Sequence, residues 1–95
     1  MDKKDDNSVM IGGKPFMNYV TSVMVQFNNG ANEVIIKARG KFISKAVDVV
    51  EVAKRKFLTE QKVKITKIVT DSEEFEREGE KKVCVSTIEI TLKKE

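Results

Sequence analysis

Residues 8–30 read SVMIGGKPFMNYVTSVMVQFNNG, and their apolar spacing changes once, at the two glycines. Ser8 to Ile11 is a short apolar run closed by Gly12-Gly13, which predicts a strand that ends in a turn. Lys14-Pro15 then opens a helix, because a proline's fixed φ and missing N–H cost nothing at a first helical position. Phe16, Val20, Val23, Met24 and Phe27 recur at the spacing of one buried helical stripe, and Asn28-Asn29-Gly30 supplies the stop.

Working outward, the same unit follows again. Glu33 to Arg39 holds the continuous run Val34-Ile35-Ile36, which predicts a central strand covered on both faces. After Gly40 a second helix is expected to about Phe57, with Ile43, Ala46, Val47, Val50, Ala53 and Phe57 on one face and Phe42, Val49 and Val52 widening it. A stripe that broad fits either a deeply buried helix or one whose flank meets a second subunit. Val63 to Asp71 alternates, with Val63, Ile65 and Val69 on one face. In Val83 to Lys93 the apolar set moves from odd to even positions near Ser86-Thr87, which predicts a bulge or a change of buried face. Ser72 to Lys82 is polar apart from Phe75 and reads as a hairpin that projects past the core. The expected fold class is an α/β two-layer sandwich of order β-α-β-α-β-β, with a long hairpin joining the third and fourth strands. If the first two strands run parallel, Gly12-Gly13-Lys14 and Arg39-Gly40-Lys41 share one edge of the sheet, where open α/β sheets bind ligands.

A chain of 95 residues has room for one domain, spanning 1–95, with residues 1–7 expected as a flexible tail. So small a core is marginal alone, which favours a homodimer. There is one cysteine, Cys84, and no histidine, which excludes an internal disulfide, the usual zinc sites and any Ser-His or Cys-His nucleophile pair. The expectation is a non-enzymatic protein without a cofactor. No apolar segment follows the charged start Met1 to Asp6, so a cytoplasmic location and no membrane partner are expected. Cys84 reads as a small buried apolar residue.

The net charge of +3 hides a strong asymmetry. Lys14 to Lys67 carries eleven basic residues against four acidic ones, whereas Ile68 to Glu80 carries six acidic residues against Arg77 alone. Solvated helix faces and a solvated hairpin tip account for this, and so does a polyanion-binding body with an acidic appendage. The helix starts favour the second account. Exposed N–H groups at a helix N-terminus call for Asp or Glu, yet Lys14 adjoins the first start, and Arg39, Lys41 and Lys45 surround the second. Cations there suit a bound anion, and Gly12, Gly13 and Gly40 let backbone approach a phosphate. Gly12-Gly13-Lys14-Pro15 is no nucleotide-binding loop, since proline removes an amide that such a loop uses. Several phosphates along a polynucleotide fit cations from separate loops better than one nucleotide does. Asn18 and Tyr19, on the polar flank of the first helix, are candidates for sugar or phosphate contact, the alternative for Tyr19 being packing with its hydroxyl in water. Phe57-Leu58 at the second helix end fits either core closure or a protein contact.

Four ordered segments carry a resemblance. Ile11-Gly12-Gly13-Lys14-Pro15-Phe16-Met17-Asn18-Tyr19-Val20, Ile36-Lys37-Ala38-Arg39-Gly40-Lys41, Ile43-Ser44-Lys45-Ala46-Val47-Asp48 and Val85-Ser86-Thr87-Ile88-Glu89-Ile90 resemble the Alba family of archaeal chromatin proteins over roughly residues 8 to 93. The resemblance implies the fold of the C-terminal domain of a bacterial translation initiation factor, a homodimer, and binding of double-stranded DNA and of RNA without a strong sequence code. It implies a role in chromosome organisation, or alternatively a mainly RNA-binding role as an RNA chaperone or ribonucleoprotein subunit. The family's lysine pair before the proline is reduced here to Gly13 and Lys14, and the resemblance implies that the regulated lysine, acetylated in some members, is the one missing. Its basic pair around the glycine of the second motif corresponds to Arg39 and Lys41. Its exposed aromatic between dimers corresponds to Phe57, with Leu58 beside it, which implies higher assembly on DNA. The family's hairpin reaches along the minor groove with basic residues, for which only Arg77 stands here among carboxylates, so weaker DNA binding than in basic-hairpin relatives is expected.

Overall fold

A computed structural model describes residues 7–58, 60, 62–76, 79 and 82–95, the side chain of Phe57 excepted. Residues 1–6 of the expected tail and Arg77 lie outside the described residues. Strand β1 (Ser8–Met10) leads to helix α1 (Phe16–Asn28) and strand β2 (Glu33–Arg39). A 3-10 turn, Gly40–Phe42, feeds helix α2 (Ile43–Val52), which ends in a π turn, Ala53–Phe57. Strands β3 (Val63–Glu76) and β4 (Lys82–Lys94) close the chain. The four strands form one sheet in the order β1-β2-β4-β3, with β1 parallel to β2 and the other pairings antiparallel. This is the α/β two-layer sandwich expected.

Both helices pack on one face of the sheet. Val20, Val23 and Phe27 of α1 and Ala46, Val49 and Val50 of α2 are buried against Val34, Ile36 and Ala38 of β2 and Ile88, Ile90 and Leu92 of β4. Each such large apolar side chain contributes about 1.5–3 kcal/mol on full burial. The expectation that β2 is covered on both faces does not hold, although the strand is interior. Its burial alternates, and Ile35 is only half-buried because the opposite sheet face carries no second layer. Val47, expected on the buried face of α2, is exposed, since the sheet reaches only the arc from Ala46 through Val49 and Val50 to Ala53.

The hairpin differs from expectation in three ways. The irregularity lies in β3, between Ile65 and Lys67, and not in β4 at Ser86-Thr87. The extra residue turns Ile68, paired with Ile90, onto the helix face, so Val69 does not share a face with Val63 and Ile65. Along β4 the apolar residues change face without a bulge. Both arms extend to Glu76 and Lys82, beyond the helices, which gives the molecule its 51 Å long axis. Cys84 lies on such an arm opposite Glu74 and is exposed, because no helix reaches far enough to cover it.

The end of α2 also departs from simple periodicity. The Leu58 N–H donates to the Ala53 carbonyl at 2.9 Å, the long span of a π turn. The wider turn carries one residue more than an α turn, so Leu58 follows Ala53 into the core and is only 2% exposed. Leu58 is therefore core closure and not a surface for contact between dimers. The side chain of Phe57 lies outside the described residues.

Candidate nucleic-acid interface

Parallel pairing of Met10 with Lys37 places the ends of β1 and β2 side by side, so the loops that follow them open on one edge. The Ile11 N–H donates to the Lys37 carbonyl at 2.9 Å and carries the pairing one residue further. Lys14, Arg39 and Lys41 are all exposed at this edge. Neither helix start has a side-chain cap or an acidic residue in its first turn. The 3-10 turn that carries Lys41 starts at Gly40 with φ of +54°, a conformation that disfavours any residue with a Cβ. At Gly13 a Cβ would meet nothing within 4 Å, so that glycine meets no packing demand and leaves the loop open to solvent.

Two predicted contact residues turn out to hold the loop. Tyr19 is buried, not on a polar flank, and its hydroxyl accepts the N–H groups of both Gly12 and Lys14 at 3.0 Å. Lys45, half-buried at the start of α2, donates to the carbonyls of Gly12 at 2.8 Å and Lys14 at 2.7 Å. Its ammonium also lies 5.2 Å from the Tyr19 ring centroid, a cation–π contact. The first loop is thus fixed from both sides by one phenol and one ammonium, and the two loops are tied together through Lys45. No apolar periodicity marks this clamp; Tyr19 simply stands one residue before the stripe residue Val20. Asn18 is exposed beside Lys14 and Tyr19 at the α1 start, in a shallow hollow where all three remain near one another. Replacing Tyr19 with Phe removes the shared acceptor of two amides, at a stability cost of about 1–2 kcal/mol. Nucleic-acid binding is then expected to weaken with its salt slope unchanged, because no charge is lost. A shallower slope in Tyr19→Phe contradicts the positioning role, and titrations over a range of salt concentrations check it.

The acidic hairpin reaches the same edge. The Glu73 carboxylate lies 3.1 Å from the Arg39 guanidinium, with both side chains about half exposed. Such a surface pair is worth about 0.2–1 kcal/mol, but it neutralises one of the cations at this edge. Glu74, the next residue on the strand, points to the other face. Glu73→Gln is therefore expected to tighten DNA binding about threefold at low salt, more than Glu74→Gln, with the gain fading as the screening length shortens to about 8 Å. Equal effects of the two substitutions contradict a specific role for the ion pair. Among the described residues, no helix is long and apolar enough to cross a membrane.

Three comparisons agree with this architecture. The family model described as Alba matches residues 7–72. The chain is 50% identical over 90 residues to the DNA/RNA-binding protein Alba of Methanocella arvoryzae, covering 95% of this chain and 92% of that protein. The solved structure of Alba from Thermoplasma volcanium superposes with a TM-score of 0.83 at 50% identity, covering 93% of this chain and all of the other. That of ALBA1 from Trypanosoma brucei superposes with a TM-score of 0.72 at 31% identity, over 93% of this chain and 68% of the other. Matched over most of its length in sequence and in fold, the chain belongs to the Alba family.

Proposed function

We propose that this protein is a non-enzymatic homodimer that binds double-stranded DNA and RNA through backbone phosphates, with little sequence specificity, and contributes to chromosome organisation in the cytoplasm. The observation that carries this reading is the edge itself: Lys14, Arg39 and Lys41 stand exposed around two helix starts that lack any capping carboxylate. Relatives of about 50% identity are named for DNA and RNA binding. Three cations at one edge grip an extended polyanion by charge, which gives affinity without fixing a base sequence. Gly12, Gly13 and Asn18 contribute open backbone and a polar side chain beside Lys14. Lys45 and Tyr19 act by holding the loop.

A second subunit is supported by apolar surface that one chain leaves bare. Ile68 lies on the helix face of the sheet yet is 56% exposed, because it sits on the edge strand β3 beside the buried Ile90, and Val47 is exposed on α2. Higher assembly on DNA, with Phe57 at the contact between dimers, remains part of the proposal. A mainly RNA-binding role is the second reading. The Glu73 carboxylate beside Arg39 favours it, since an acidic hairpin lies poorly along a long duplex.

Competition among duplex DNA, duplex RNA and single strands for the full chain tests both. Preference for duplex DNA at every salt concentration supports the chromosomal role, preference for RNA supports the second reading, and failure to bind any of them at low salt refutes both.

A further inference from the structure

The cationic edge also holds an apolar hollow for which phosphate contacts have no use. Ile11, Phe42 and Val85 line it, and Arg39 and Lys41 flank it. Met10 stands at its mouth, 60% exposed, the barest large apolar side chain among the described residues. The Lys41 ammonium lies 5.5 Å from the Phe42 ring centroid, so a cation already rides on the aromatic wall.

A regular duplex offers this edge phosphates and sugars, while its base faces are covered by their neighbours. An unpaired base has two bare faces, and a concave apolar surface between two cations meets the base by contact and its flanking phosphates by charge. A free phosphate has no use for the hollow, and an apolar peptide has no use for the cations. Methionine suits such a mouth, because its flexible, polarizable thioether adapts to a ring of either size.

We propose that this hollow receives an unpaired nucleobase, with Arg39 and Lys41 on the phosphates to either side of it. The inference rests on the nucleic-acid reading above and narrows the target, so that a strand with a splayed base outcompetes one that is fully paired. Arg39 must leave Glu73 to make its contact, so the hairpin carboxylate and the incoming strand compete for one guanidinium.

The test uses the full chain and two RNA duplexes that differ by a single bulged adenosine, with the same pair made in DNA. The bulged duplexes are expected to bind about tenfold more tightly than the paired ones, within the range of base stacking on a protein surface. Met10→Ser changes a solvent-facing side chain and no charge, and it is expected to abolish most of that preference while paired-duplex affinity and salt slope stay as they are. A preference in RNA alone assigns the site to RNA, and one in both sugars assigns it to the base. Equal binding of bulged and paired duplexes overturns the proposal, as does a preference that Met10→Ser leaves intact. A shift to monomer in sedimentation of Met10→Ser also overturns it, by showing that a second copy covers the hollow. If phosphate binding itself fails, paired and bulged duplexes are lost together, an outcome distinct from the loss of preference.

Discussion

Replacing Lys14, Arg39 and Lys41 together with Ala is expected to weaken binding to every duplex and to flatten its salt dependence. Each cation that meets a phosphate releases a counterion, and each lost contact removes about 0.9 from the slope of log K against log salt on B-DNA. Three contacts therefore predict a slope shallower by about 2.7. The loss should not depend on base sequence if, as proposed, these side chains meet phosphate and not base edges. Fold is expected to survive, because all three are exposed and only Arg39 has an ion-pair partner among the described residues. Removing Arg39 also frees Glu73, so the variant keeps an added repulsion, and its low-salt affinity should fall further than three contacts alone explain. An unchanged slope in the folded variant contradicts phosphate binding at these loops.

Leu58→Ala is expected to act on stability and not on assembly. The side chain is 2% exposed and belongs to the buried core cluster, so truncation removes apolar contact and leaves a cavity behind. Buried Leu→Ala changes cost about 2–5 kcal/mol, a large share of the stability of a domain this small. Denaturant unfolding measures it. The π turn makes the site less forgiving, because Leu58 enters the core directly from the Ala53 carbonyl and cannot be replaced by a neighbour one residue away. A Leu58→Ala protein of unaltered stability that binds DNA less cooperatively contradicts its placement and restores the residue to the surface.

The fold was legible wherever one periodicity governed one element. The stripe from Val20 through Val23 to Phe27 and the stop at Asn28-Asn29-Gly30 followed from spacing, whereas the shared edge of the two loops was conditional on a parallel pairing that β1 and β2 do make. Two of the misreadings share a cause, which is that local backbone irregularity shifts register without changing composition. A π turn brings Leu58 into the core behind Ala53, and a bulge at Thr66 moved Ile68 rather than Val69 to the helix face. Adjacent apolar residues at Ile68-Val69 were the only hint of the second. The run Val34-Ile35-Ile36 implied two covered faces, but a two-layer fold covers one and leaves Ile35 to the other. At the site, charge pattern located Lys14, Arg39 and Lys41 at the common edge, while nothing in spacing showed that Tyr19 and Lys45 would spend their polar atoms on the backbone of residues 12–14. That is a tertiary fact, since Lys45 reaches across from α2. The pairing of Arg39 with Glu73 is equally tertiary, set by the length of β3 beyond the helices.

The central claim is that the two loops at the shared ends of β1 and β2 meet nucleic-acid backbone, and backbone amide spectra during titration of the labelled protein with a short duplex test it most directly. The amides of Gly12, Gly13, Lys14, Arg39, Gly40 and Lys41 are expected to shift progressively with added duplex and to return as salt is raised, while those of the α1 C-terminal turn around Asn28 stay in place. Shifts confined to residues away from these loops, or loop amides that remain unmoved at saturating duplex, contradict the account.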